Sequence, residues 1–112
     1  MSTSSFALMQ PFCVEVAHGR DEIVVEAIGE LDLESAGTLE NEVADLRRDG
    51  HDRIVVDLQR VGFIDSTGLR VLIGLHKAAQ REGRTLTLVP GPRQVQRIFE
   101  LTATHQLFDW RD

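Results

Sequence analysis

The run Ile54-Val55-Val56-Asp57-Leu58 constrains the fold of this 112-residue chain more than any other stretch. Its nearly unbroken aliphatic character asks for burial on both faces, as in the middle of a parallel sheet. Parallel neighbours cannot be joined by a tight turn; they need a crossover, usually a helix. The chain therefore reads as strands and helices alternating around residues 53–58.

The flanking segments supply those elements. Pro11 ends a polar stretch, read as a loose tail over residues 1–11, and residues 12–112 form one domain. Phe12, Val14 and Val16 alternate with Cys13, Glu15 and Ala17, which predicts a half-exposed strand. His18-Gly19-Arg20-Asp21 reads as a turn and 22–28 as a second strand of a hairpin. Gly29 is expected to end that strand, and Asp32 to N-cap a helix carrying Leu33, Ala36, Leu39, Val43 and Leu46 on one stripe. After the central strand, 59–64 reads as a loop leading to Ser66. A helix to about Glu82 follows, with Gly83 at its C-cap and Leu69, Leu72, Ile73, Leu75 and Ala79 inward. A fourth strand over 85–89 and a last helix from Arg93, with Val95, Ile98, Phe99 and Leu101 inward, complete the pattern. Leu107, Phe108 and Trp110 are expected to pack down. The order ββαβαβα predicts an α/β fold with helices packed on a small mixed sheet.

Composition narrows the function. The net charge of -6 argues against a nucleic-acid binder, which needs a basic face. One cysteine, Cys13, allows no internal disulfide and fits a reducing cytosol. Residues 1–10 lack the charged start and apolar run of a signal peptide, and no run reaches the length of a membrane span.

Catalysis at Ser66 would need a histidine base held by an acid. His18, His51 and His105 lie in turns or near the C-terminus, and His76 is too far down its helix. All four histidines read as solvated surface residues, with no metal cluster among them. A Gly-x-Ser-x-Gly elbow, a Walker loop and a Gly-x-Gly-x-x-Gly motif are all absent, so no cofactor is expected. Asp57 resembles a receiver-domain phosphoacceptor in position, but the accompanying acid pair and lysine are missing. It reads as a polar strand end that helps hold the loop.

Ser66 remains as an acceptor. By residue type alone it is an N-cap serine. Phe63 and Ile64 are read as anchors that present it, Thr67 adds a second hydroxyl, and Gly68 leaves room for a partner's backbone. Arg70, Gly74, Lys77 and Arg81 form the exposed stripe of the helix.

Phe63-Ile64-Asp65-Ser66-Thr67-Gly68-Leu69 resembles the Asp-Ser-Ser/Thr-Gly-Leu signature of the STAS-domain anti-sigma factor antagonists. Gly29-Glu30-Leu31-Asp32 resembles the family's Gly-Glu-Leu-Asp loop. Ile54-Val55-Val56-Asp57-Leu58 is similar to its central strand, and Arg97-Ile98-Phe99-Glu100-Leu101-Thr102 to its last helix. Where the family commonly continues with Gly-Leu, this chain has Ala103-Thr104.

The resemblance implies a non-enzymatic, cytoplasmic partner switch. The unphosphorylated protein would bind an anti-sigma factor that is also a GHKL-type serine kinase, releasing a sigma factor. Phosphorylation of Ser66 would end binding, and a PP2C-type phosphatase would restore it. The implied partner surface is Glu30, Asp32, Asp65, Ser66, Thr67, Gly68, Leu69, Arg70, Gly74 and Lys77. A monomer is expected. The alternative is a STAS subunit of a membrane lipid-transport ATPase complex, without phosphorylation.

Overall fold

The central run does lie inside a parallel sheet. The computed structural model describes residues 11–111. They form β1 (Cys13–His18), β2 (Ile23–Leu31), α1 (Ala36–Arg48), β3 (Arg53–Ile64), α2 (Ser66–Arg81), β4 (Thr85–Val89), α3 (Arg93–Leu101), a 3-10 turn (His105–Leu107) and β5 (Asp109–Trp110). The strands stand in sequence order across one sheet; β1 is antiparallel to β2, and all other pairs are parallel. This is the expected ββαβαβα order with β5 added at one edge. A two-residue strand carries too little alternation to be read from sequence. Most of the expected tail, residues 1–10, lies outside the described residues.

Ile54, Val56 and Leu58 are buried, and so is Val55 on the other side of the pleat. Around them pack Val25 and Leu31 of β2, Leu39 and Val43 of α1, Leu72 of α2, Leu88 of β4 and Phe99 of α3. Helices α1 and α2 contact each other, and α3 lies on β3. At the C-terminal edge the Trp110 ring stacks on His105 at 4.8 Å and meets Phe99 edge-on at 5.0 Å. The Trp110 indole N–H donates to the His105 carbonyl at 2.8 Å.

Several expectations need correction. Gly29 does not end β2, and 59–64 is not a loop; both strands continue to Leu31 and Ile64. They stay paired through two register shifts, where Gly29 takes a φ of 112°. The carboxylate of Asp57 accepts from the Gln59 N–H at 2.8 Å beside the first shift. Exposed Gln59, Arg60 and Gly62 break the apolar pattern without breaking the ladder. Helix α1 starts at Ala36, so Leu33 lies in the preceding turn and is 76% exposed.

His76 is buried, not solvated. It falls on the inward stripe with Leu69, Leu72 and Ala79, and its ring lies 5.4 Å from that of Phe108. Leu101 and Leu107, expected inside, are exposed. Leu101 is the last residue of α3, two positions on from Phe99 and so on the face turned away from the sheet; there the helix closes, with the Thr104 N–H donating to the Phe99 carbonyl and the Ala103 N–H to the Glu100 carbonyl. That closure puts Ala103 at a φ of 56°, the conformation glycine adopts most easily. At the end of α2 the matching position is Gly83, with a φ of 69°.

Candidate functional site

The parallel register of β2 and β3 brings the two signature stretches side by side. Glu30 pairs with Phe63, and Leu31 with Ile64. Both chains then leave the same end of the sheet, one into the turn before α1 and the other into α2. The Asp65 N–H donates to the Leu31 carbonyl at 3.2 Å, which fastens one to the other.

Asp65, and not Ser66, is the N-cap of α2. One oxygen of its carboxylate accepts from the Thr67 N–H at 2.9 Å and the Gly68 N–H at 3.0 Å. The other accepts from the Leu33 N–H at 3.3 Å. A single carboxylate thus orders both the first turn of α2 and the neighbouring turn. Ser66 is the first helical residue and is exposed. Its hydroxyl is not needed for capping, so it stands out from the fold. Two amides of the helix end are already taken by Asp65 and are not offered to an incoming phosphoryl group.

Asp32 does not cap α1. Its carboxylate accepts from the Glu34 and Ser35 N–H groups at 3.1 and 3.2 Å, closing the turn ahead of the helix. The residue at the N-cap of α1 is Ser35, which makes no cap bond with its side chain. Its buried hydroxyl donates to the Glu30 carbonyl at 2.5 Å and accepts from the Asp32 N–H at 2.9 Å. Sequence reading missed Ser35; the Asp-x-x-Ser spacing of Asp32 and Ser35 was the available signal.

Gly68 and Leu69 are buried, so neither presents a side-chain position to a partner. Gly68 serves an internal contact instead: a Cβ there would sit 2.4 Å from the Leu31 carbonyl oxygen. The anchoring role expected of Phe63 belongs to Ile64 alone, because Phe63 is 49% exposed while Ile64 is buried. Glu30, Ser66, Arg70, Gly74 and Lys77 are exposed, and Asp32, Asp65 and Thr67 half-buried. The expected surface residues therefore fall into a cluster at the sheet end and a stripe along α2.

The family model described as "Mlab, STAS domain" matches residues 14–109. The chain is 31% identical over 96 residues to the anti-sigma-B factor antagonist of Bacillus subtilis, spanning 86% of this chain and 87% of that one. The chain belongs to the STAS-domain anti-sigma factor antagonist family. Its fold matches the crystal structure of an anti-sigma factor antagonist from Mycobacterium paratuberculosis with a TM-score of 0.80 and 25% identity, covering 89% of this chain and 85% of that one. It also shares the fold of the Bacillus antagonist SpoIIAA in its phosphorylated form, with a TM-score of 0.66 and 17% identity over 91% of this chain and 92% of that one. In this STAS domain the two signature segments are tied through Asp65, the residue next to Ser66.

Among the described residues no group of His, Cys, Asp or Glu could hold a metal ion, and no helix is long and apolar enough to cross a membrane.

Proposed function

We propose that this protein is a phosphorylation-controlled antagonist of an anti-sigma factor. In the unphosphorylated state it binds an anti-sigma factor that is also a GHKL-type serine kinase, and a sigma factor is released. The kinase transfers the γ-phosphoryl group of ATP to the Ser66 hydroxyl, and the complex dissociates. A PP2C-type phosphatase hydrolyses the ester and restores binding. The protein itself catalyses neither step and acts as a cytoplasmic monomer.

The observation that carries this reading is the division of labour between Asp65 and Ser66. Asp65 caps the helix, so Ser66 is free and exposed at the helix N-terminus, where a kinase can reach it. Phosphorylation adds a charge of about -1.5 to -2 at neutral pH. It falls beside Asp65 and at the end of the sheet that carries Glu30 and Asp32. A partner surface fitted to a neutral hydroxyl meets repulsion and a desolvation cost. The existence of phosphorylated SpoIIAA, on the same fold, supports the type of switch.

The test is incubation with the cognate anti-sigma factor kinase and ATP, followed by mass spectrometry. One phosphate on Ser66 is expected. Modification at Thr67 alone, or none, counts against the proposal. The Mlab name of the matching family model favours a second reading, a subunit of a membrane lipid-transport ATPase complex that is not phosphorylated. Copurification with a permease and its ATPase, and no phosphate on Ser66, would select it.

A further inference from the structure

Among the described residues the exposed large apolar side chains are Leu33, Phe63, Leu101 and Leu107. Leu101 and Leu107 sit at the C-terminal end. Leu33 and Phe63 lie on the two segments that Asp65 and the β2–β3 ladder hold together. Neither exposure is needed by the fold. Leu33 occupies a turn closed by Asp32 and Ser35, and Phe63 lies opposite Glu30 on a strand already anchored by Ile64. Both backbones are fixed, Leu33 by its N–H bond to Asp65 and Phe63 by the ladder, so little freedom remains to be lost on docking.

The charges around them point the same way. Neither residues 29–35 nor residues 61–69 contain a lysine or arginine, so the charge of these two segments is acidic only. Among the described residues Glu30, Asp32, Glu34 and Asp65 form no ion pair. Two exposed apolar side chains on fixed backbones, in segments that carry acidic side chains without an ion pair, suit an apolar contact with a charged rim.

We infer that Leu33 and Phe63 are the apolar anchors of the interface that Ser66 controls, received by an apolar cleft of the anti-sigma factor bordered by lysine or arginine. The inference rests on the Ser66 reading above and adds the residues that hold the partner when the hydroxyl is free. Phosphorylation then places charge at the edge of a contact that has to be dry. That is why one group can end the whole association.

A photo-crosslinking residue, p-benzoylphenylalanine, placed in the full chain at position 33, 63 or 21 in the native host tests this. Asp21 is exposed in the β1–β2 turn and serves as the control. Positions 33 and 63 should both capture one anti-sigma factor, position 21 should not, and Ser66→Asp should abolish both adducts. With that purified factor, Leu33→Asp and Phe63→Asp should each weaken binding roughly thirtyfold while the melting temperature holds. In a Ser66→Ala background, which cannot be phosphorylated, adducts at 33 and 63 no stronger than at 21 would overturn the anchors, and phosphorylation of wild-type Ser66 by the kinase would leave the switch standing. Capture of a protein that is not an anti-sigma factor would overturn the kinase reading and the occupant named here.

Discussion

Asp65 and Leu33 meet across the ends of two parallel strands, the Leu33 N–H donating to a carboxylate that also caps α2. The order of the site is therefore lodged in Asp65 and the proposed switch in Ser66, on adjacent residues. Asp65→Ala should cost about 1–2 kcal/mol through the lost cap, with a further loss of order in the Leu33 turn. Ser66→Ala should change stability by less than about 0.5 kcal/mol, as an exposed residue that caps nothing. Urea unfolding of the two variants checks the contrast. Equal losses would show that Ser66 is the working cap.

Ser66→Ala should bind the kinase and resist switching off, whereas Ser66→Asp should bind about 3 kcal/mol more weakly, roughly a hundredfold. Isothermal titration measures both. Wild-type affinity for Ser66→Asp would remove the charge argument.

Gly68→Ala would put a Cβ 2.4 Å from the Leu31 carbonyl oxygen and 2.9 Å from the Leu31 side chain. Part of the clash is with backbone, so the first turn of α2 must move. A loss of about 2–3 kcal/mol is expected, the cost of overpacking a closed site. Binding should fall with it, because the same shift displaces Ser66. Gly74→Ala, where a Cβ meets nothing within 4 Å, is the control and should be neutral or stabilising.

Ala103 holds a left-handed conformation that Gly83 holds at the end of α2. Ala103→Gly should relieve strain and raise stability by about 0.5–1 kcal/mol, net of the extra freedom glycine gives the unfolded chain. Thermal melting should show a rise of several degrees. Activity should not change, since Ala103 is remote in sequence and fold from Ser66.

Arg111 holds Glu22 in a two-pronged pair at 2.6 and 2.7 Å, and its hydrogen bonds keep the Glu22 carboxyl below its ordinary range. A carboxylate with a lowered folded pKa stabilises above its unfolded pKa and loses that contribution as pH falls through the folded one. Arg111→Ala should thus be less stable than wild type at neutral pH, and the two should converge in acid below the carboxylate range. Both groups are partly solvated, so the difference should be small. Denaturant titrations at the two pH values read it.

What the sequence made legible follows from periodicity. The first half of β3, the stripe of α2 and the Pro92 boundary of α3 were readable because burial imposes a pattern on many residues at once, whereas the exposed Gln59, Arg60 and Gly62 hid the second half of β3. The errors lie where single residues decide. Asp32 and Ser66 are both plausible caps by type, and only the geometry assigns capping to Asp65 at one helix and leaves Ser35 without a cap bond at the other. Gly68 looked like clearance for a partner because sequence cannot show that Leu31 is what it clears. His76 was misread because its type suggests solvent, although its spacing from Leu72 and Ala79 put it on the buried stripe.

Cys13 stands exposed on the β1 edge strand, and Trp110 belongs to β5 at the opposite edge. The chain has no other cysteine and no other tryptophan. Four strand spacings separate the two strands, about 19 Å at 4.8 Å each, and the two residues are further offset along them, Cys13 being level with Ile28 and Trp110 with Val25. A dye on that thiol would take up the indole's excitation energy across the full width of the sheet. The native sequence is thus its own optical ruler: energy transfer would follow the opening of the sheet edges. Cys13 pairs with Ile28, next to the Gly29–Asp32 segment, so a partner arriving there would also register at the dye, while Trp110 at the far edge would not meet it.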